Sequence, residues 1–145
     1  MVSKPPSPDS PGDCVALART WLDDLFARWV KDLHLRVESA RDGQAVLILP
    51  FSNDLCRIGG TICGQALMAA ADTSMVLAVG SLFGETRPMT TVNLNTSFLR
   101  PVAQGDVRIV CEVTKPGRRL MFGEIELIGA DGKTACHVTT TYAML

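Results

Sequence analysis

The residues able to do chemistry in this chain gather around one stretch, Gly60-Thr61-Ile62-Cys63-Gly64-Gln65, followed by Asp72. Asp72 stands midway along Ile62–Ser81, a segment that is apolar nearly all round. A carboxylate there is costly unless it is hydrogen-bonded, paired or lines a cavity. One reading is an aspartate bonded to neighbouring strand backbone. The other is a carboxylate drawn partly out of water that can accept a proton or attack an electrophilic carbon. Gly64 and Gln65 begin the same segment, where unpaired helix N–H groups and the helix dipole favour negative charge. They read equally as an ordinary helix start with a glycine for close packing. Cys63, at that helix start, has the placement of an activated thiol nucleophile, but no histidine is near it in sequence and cysteine is also a common buried small residue.

Two further groups are polar or basic. Thr90, Thr91, Asn93 and Asn95 lie on and beside one strand, as a solvated sheet face or a set of cross-strand hydrogen bonds would. Arg118-Arg119 follow Lys115-Pro116-Gly117 in a basic turn that could meet phosphate or simply be solvated, and Arg100 before Pro101 offers a second such position. Lys-Pro-Gly is not a phosphate-binding glycine loop. The two histidines, His34 and His137, are too dispersed to suggest a zinc site, and the five cysteines form no paired C-x-x-C. The reading is therefore no metal and no cofactor, with His137 structural.

Elements must position these groups. The chain has 145 residues, the size of one domain, with 47% hydrophobic and 20% charged residues and a net charge of −1. No basic excess points to nucleic acid or an anionic membrane. Asp72 and its polar neighbours argue against reading Ile62–Val79 as a membrane span. Residues 1–13 carry four prolines and no apolar core of a signal peptide, and are expected to be disordered; residues 14–145 form one domain. The odd cysteine count and irregular spacing suggest reduced thiols in a cytoplasm.

Helical spacing runs over residues 14–31, with Leu17, Trp21, Leu22, Leu25 and Trp29 on one face and capping residues in Ser10–Asp13. Leu33–Glu38 and Gln44–Pro50 flank Asp42-Gly43, a hairpin turn; the second run is apolar enough for a strand buried on both faces. After the long helix come Thr91–Leu99, Asp106–Thr114, Leu120–Ile128 and Thr134–Tyr142, read as meandering strands. In the first of these, strict alternation puts Val92, Leu94, Thr96 and Phe98 on one face and Thr91, Asn93, Asn95 and Ser97 on the other. The order implies an α+β fold, an antiparallel sheet wrapped around a central helix, with two open edges that self-association would cover.

Gly60 to Gln65, Asp72-Thr73, Thr90 to Asn95, Phe98-Leu99-Arg100-Pro101 and Gly105-Asp106, in that order over residues 33–144, resemble the hotdog-fold acyl-CoA thioesterases of the phenylacetic-acid-degradation type. That resemblance implies a hotdog fold with an extra N-terminal helix, a dimer or dimer of dimers, and hydrolysis of an acyl- or aryl-CoA thioester. It implies that Asp72 is general base or nucleophile, that Gly64 and Gln65 amides bind the oxyanion, and that Thr91, with Thr90 beside it, lies near the attacking water. Arg118 and Arg119 would then meet the phosphates of coenzyme A, and Asn93 or Asn95 a partner subunit. The family pattern has His-Gly-Gly at the helix start and often an asparagine six residues before the histidine. The register set by Asp72 puts Cys63, Gly64 and Gln65 at those first three positions and Arg57 at the fourth. These departures keep open a hotdog protein that binds acyl-CoA without cleaving it. A hotdog dehydratase, which resembles a pattern with a histidine where Cys63 stands, ranks last.

Overall fold

The structure, a computed structural model, describes residues 8–145; the first seven residues of the segment expected to be disordered lie outside the described residues. In chain order the elements are α1 (Val15–Asp24), α2 (Arg28–Lys31), β1 (Arg36–Arg41), β2 (Gln44–Leu49), a 3-10 turn (Asn53–Leu55), α3 (Gly64–Phe83), β3 (Met89–Phe98), β4 (Val107–Pro116), β5 (Leu120–Ile128) and β6 (Thr134–Met144).

Apolar on nearly every side, α3 has no face to leave to water, and the sheet wraps it. Ala66, Leu67, Ala70, Ala71, Met75, Leu77, Ala78 and Val79 are all buried. Their small members let the backbone lie close to the strands. Two thirds (67%) of the most apolar window of this helix is buried inside the protein. The helix ends at Gly84, whose left-handed backbone (φ 69°) closes the last turn at no side-chain cost.

All six strands are antiparallel neighbours in the order β1-β2-β4-β5-β6-β3. Only β4, β5 and β6 meander. The strand after α3 does not join β4, as a four-strand meander requires, but crosses to pair with β6 at the far edge. The hairpin β1-β2 turns at Asp42 and Gly43, both with positive φ (51° and 80°), which is the tight turn that Asp-Gly favours. The Gly43 N–H donates to Ser81 Oγ at 2.9 Å, pinning this hairpin to the end of α3. β2 proves to be alternating rather than buried on both faces: Ala45, Leu47 and Leu49 face α3, and Gln44, Val46 and Ile48 are half-buried on the outer side.

The helix expected over 14–31 is broken. α1 ends at Asp24, and Ala27 takes an extended conformation (φ −56°, ψ 147°) before the single turn of α2. The single apolar face expected for this stretch is therefore split. Trp21 is buried against Gly80 of α3, whereas Leu17, Leu25 and Trp29 are exposed. Asp13 accepts a hydrogen bond from the Val15 N–H at 2.9 Å, one of the caps anticipated upstream, and Ser10 donates to the Asp42 carboxylate.

The two sheet edges differ. Along β1, the Cys14 N–H donates to the Ala40 carbonyl (2.8 Å) and Arg19 donates to the Val37 carbonyl (3.3 Å), so the N-terminal region covers this edge. β3, the other edge, exposes Val92, Asn93, Asn95, Ser97 and Phe98.

Candidate active site

Asp72 is half-buried rather than enclosed. Ala69, Asp72, Thr73 and Val76 share one side of α3 through i, i+3, i+4 and i+7 spacing and form the floor of an open cleft of about 260 Å³. Met89, Thr90 and Thr91 of β3 and Tyr142 of β6 form one wall, and Phe26, Trp29 and Val30 form the other. The broken N-terminal helix thus delivers two aromatic rings to the mouth of a cleft whose floor holds a carboxylate.

Two hydroxyls grip that carboxylate at the same atom. Thr91 Oγ1 donates to Asp72 Oδ1 at 2.8 Å, and the Tyr142 hydroxyl donates to the same Oδ1. The Tyr142 oxygen also lies 2.8 Å from the Asp72 carbonyl oxygen, which shares its proton. No hydrogen bond from the described residues reaches Oδ2. Burial first, and then the negative charge of Asp72, push the Tyr142 phenol well above its ordinary pKa, so it remains a protonated donor.

The position of Thr91 depends on an irregularity that alternation could not show. Thr91 pairs with Tyr142 and Asn93 with Thr141, so Val92 is an extra residue, a β-bulge. The bulge shifts the phase by one. Thr91 therefore joins Leu94 and Thr96 on the helix-facing side, instead of Asn93 and Asn95 on the outer side where unbroken alternation would put it. Tyr142 was not anticipated as a site residue. The signal available was its place as the sole tyrosine on the inward side of β6 with Val138 and Thr140, since a buried phenol must find a partner.

Cys63 is the cap residue before α3, half-buried and with no side-chain capping bond; Gly64 is the first helical residue and Gln65 is exposed. The first N–H groups of the helix have no partner within it. Gly64 lies under the Phe98 ring, where a Cβ would come within 3.1 Å of ring carbon, so a larger residue would displace that ring. Eight residues of helix separate Gly64 from Asp72, about 12 Å along the axis. One chain therefore does not bring Asp72 and the Gly64/Gln65 amides to a single reacting carbon.

The other candidates lie apart from Asp72. Arg57 is exposed on the loop before α3, its guanidinium donating to the Ile58 carbonyl. Asn93 is on the outer face, in a groove with Asn95, Glu124 and Thr139. Arg118 lines a separate cleft of about 780 Å³ with Arg87, Leu82 and Met144, at the C-terminal end of α3, and exposed Arg119 accepts from the Met144 N–H through its carbonyl. Thr90, by contrast, is exposed on the wall of the Asp72 cleft. His137 is on the outer face 2.6 Å from Glu124, and His34 is exposed before β1, so neither joins Cys63. Among the described residues no group of three or more His, Cys, Asp or Glu side chains is placed to hold a metal.

A six-stranded antiparallel sheet wrapped around one long helix, with an added N-terminal helix and an acid midway along the central one, is the hotdog fold. The profile of the thioesterase superfamily matches residues 59–136, just over half the chain. A protein of Thermoplasma volcanium named as an esterase is 32% identical over 127 residues, covering 83% of this chain and 92% of its own length. The solved structure of a conserved protein from Pseudomonas aeruginosa is 32% identical and superposes with a TM-score of 0.78 over 85% of this chain and 98% of its own. The PaaI protein of the Escherichia coli phenylacetic acid degradation operon shares the fold at 18% identity, with a TM-score of 0.80 over 91% of this chain and 94% of its own. The chain belongs to the thioesterase superfamily, and thioester hydrolysis is the activity that goes with that membership.

Proposed function

We propose that the protein hydrolyses acyl- or aryl-coenzyme A thioesters as a homo-oligomer, with Asp72 as general base or nucleophile. The observation that carries this reading is the Asp72 carboxylate, held through Oδ1 and free at Oδ2 on the floor of an apolar cleft. The acyl group of the substrate would lie among Phe26, Trp29, Val30, Val76 and Met89, with its carbonyl carbon at the carboxylate. As a base, Asp72 takes a proton from water while the water oxygen bonds to the carbonyl carbon. As a nucleophile, Oδ2 makes that bond itself, and water later cleaves the resulting anhydride. In both routes the C–S bond breaks as the tetrahedral oxyanion collapses, the thiolate leaves and takes up a proton, and the products are a carboxylic acid and free coenzyme A.

The oxyanion needs donors, and in this reading they are the Gly64 and Gln65 N–H groups of a second copy. Three observations favour that arrangement. The Gly64 amide is about 12 Å along the helix from Asp72 in the same chain. The β1 edge is covered while the β3 edge is open. Thr91, bonded to Asp72, and Phe98, packed on Gly64, stand at opposite ends of β3. Antiparallel pairing of two β3 edges that sets Thr91 of one copy opposite Phe98 of the other would bring Asp72 of the first to Gly64 of the second. Coenzyme A would extend out of such a site with its phosphates free to meet exposed arginines, of which Arg57, Arg118 and Arg119 are candidates. The five unpaired cysteines suit a reducing, cytoplasmic setting.

The test is free-thiol release from a panel of acyl- and aryl-CoAs. Turnover of at least one class is expected. Tight binding of these compounds without thiol release would instead favour the non-catalytic acyl-CoA-binding reading that the residues at Arg57, Cys63 and Gln65 keep open.

A further inference from the structure

We propose that Tyr142 is a positioning residue: it clamps Asp72 Oδ1 and so makes Oδ2 the atom that takes the proton or attacks the thioester. This rests on the reading of Asp72 given above and deepens it. A carboxylate on an open cleft can rotate about two side-chain bonds and present either oxygen. Here both hydroxyl donors converge on one of them, so the carboxylate plane is fixed and a single oxygen is left for chemistry.

The two donors are not equivalent. Thr91 belongs to the edge strand β3 and sits beside the bulge at Val92. Tyr142 belongs to β6, held between β5 through Met121 and β3 through Thr91, and its side chain is 2% exposed. Its hydroxyl also meets the Asp72 main-chain carbonyl, so the ring is indexed to the helix backbone as well as to the carboxylate. The fixed point of the site is thus the phenol, and Thr91 completes the grip. Misplacing a reacting group by about 1 Å can cost on the order of 100-fold in rate, which sets the scale of what such a clamp protects.

A buried tyrosine that merely satisfied its own hydroxyl would leave kinetics untouched when replaced by phenylalanine in a folded protein. The clamp predicts otherwise. Tyr142→Phe should lower kcat for CoA-thioester cleavage by roughly 10- to 100-fold with KM little changed. The loss should vanish in an Asp72→Asn background, because the phenol acts only through that carboxylate. Wild-type kcat in folded Tyr142→Phe, a change confined to KM, or the same fold-loss in both backgrounds would overturn the proposal. A second arm does not depend on the variant folding. The chain has one tyrosine, so biosynthetic 3-fluorotyrosine labels Tyr142 alone. Its 19F resonance should differ between the wild-type chain and Asp72→Asn, because the acceptor of the phenol changes from a carboxylate to an amide; an identical resonance in both overturns the clamp. The arms separate the failures. Undiminished thiol release by Asp72→Asn would sink the role of Asp72 itself. An inactive Asp72→Asn beside a fully active Tyr142→Phe would sink only the clamp.

Discussion

At the scale of single residues, the site is a carboxylate with one oxygen engaged and one free. Thr91 supplies a donor that the phenol alone does not replace, because each hydroxyl has a single proton to give. Thr91→Val keeps the branched shape of the side chain and removes the hydroxyl. It should lower kcat by roughly 10-fold, the scale of one charge-assisted hydrogen bond, while Thr91→Ser keeps most of the activity; steady-state kinetics of the pair checks this, and equal rates for both would deny Thr91 a role. Asp72 was legible because an acid is conspicuous in an apolar helix. Its partners were less so. Thr91 was placed by resemblance, but alternation alone turned it toward solvent, since a bulge is a backbone event with no side-chain signature at Val92. Tyr142 lies seventy residues from Asp72 and meets it only through the packing of β6 against α3, while the crossing of β3 to the far edge sets Thr91 beside it.

At the scale of elements, the long helix, the hairpin and all four later strands could be read from periodicity and turn residues, because burial on one face dictates alternation and burial on all faces dictates an unbroken apolar run. What failed was order and continuity. Nothing in Leu25-Phe26-Ala27 marks a break, as neither glycine nor proline is present, yet the break decides which aromatic residues reach the cleft. It leaves Trp21 packed on Gly80 and frees Trp29 to stand at the cleft mouth. The Trp21–Gly80 contact is tight enough to test. A Cβ on Gly80 would lie 2.7 Å from the indole ring. Gly80→Ala gains roughly 1 kcal/mol of helix propensity, but overpacking costs about 1–3 kcal/mol. The expected outcome is a thermal midpoint lowered by a few degrees; a raised midpoint would mean that the α1–α3 packing yields easily.

At the scale of the whole molecule, the proposed function requires more than one chain. A site that joins Asp72 of one copy to the Gly64 and Gln65 amides of another has a signature that no single-chain site can imitate. Asp72→Asn removes the acid. Gln65→Pro removes one of the two oxyanion N–H groups at an exposed position in the first turn of the helix, where proline is tolerated. Each variant alone should be poorly active. Mixed and allowed to exchange subunits, they should recover activity, because a mixed dimer holds one site with both groups intact. No recovery after demonstrated exchange would contradict a shared site. The fold family was the most legible feature of the sequence at this scale, through the ordered motifs from Gly60 to Asp106. Those motifs could not say how copies meet, because an interface is written in which edge stays open, and that follows from the N-terminal region covering β1 and not β3.

The central claim is that Asp72 does the chemistry, and the most direct measurement of it is thiol release by folded Asp72→Asn on the best substrate of the acyl- and aryl-CoA panel. Loss of a general base costs roughly 10²–10⁴-fold, and a drop in kcat of that size with the thermal midpoint preserved is the predicted result. Turnover equal to wild type would contradict the account.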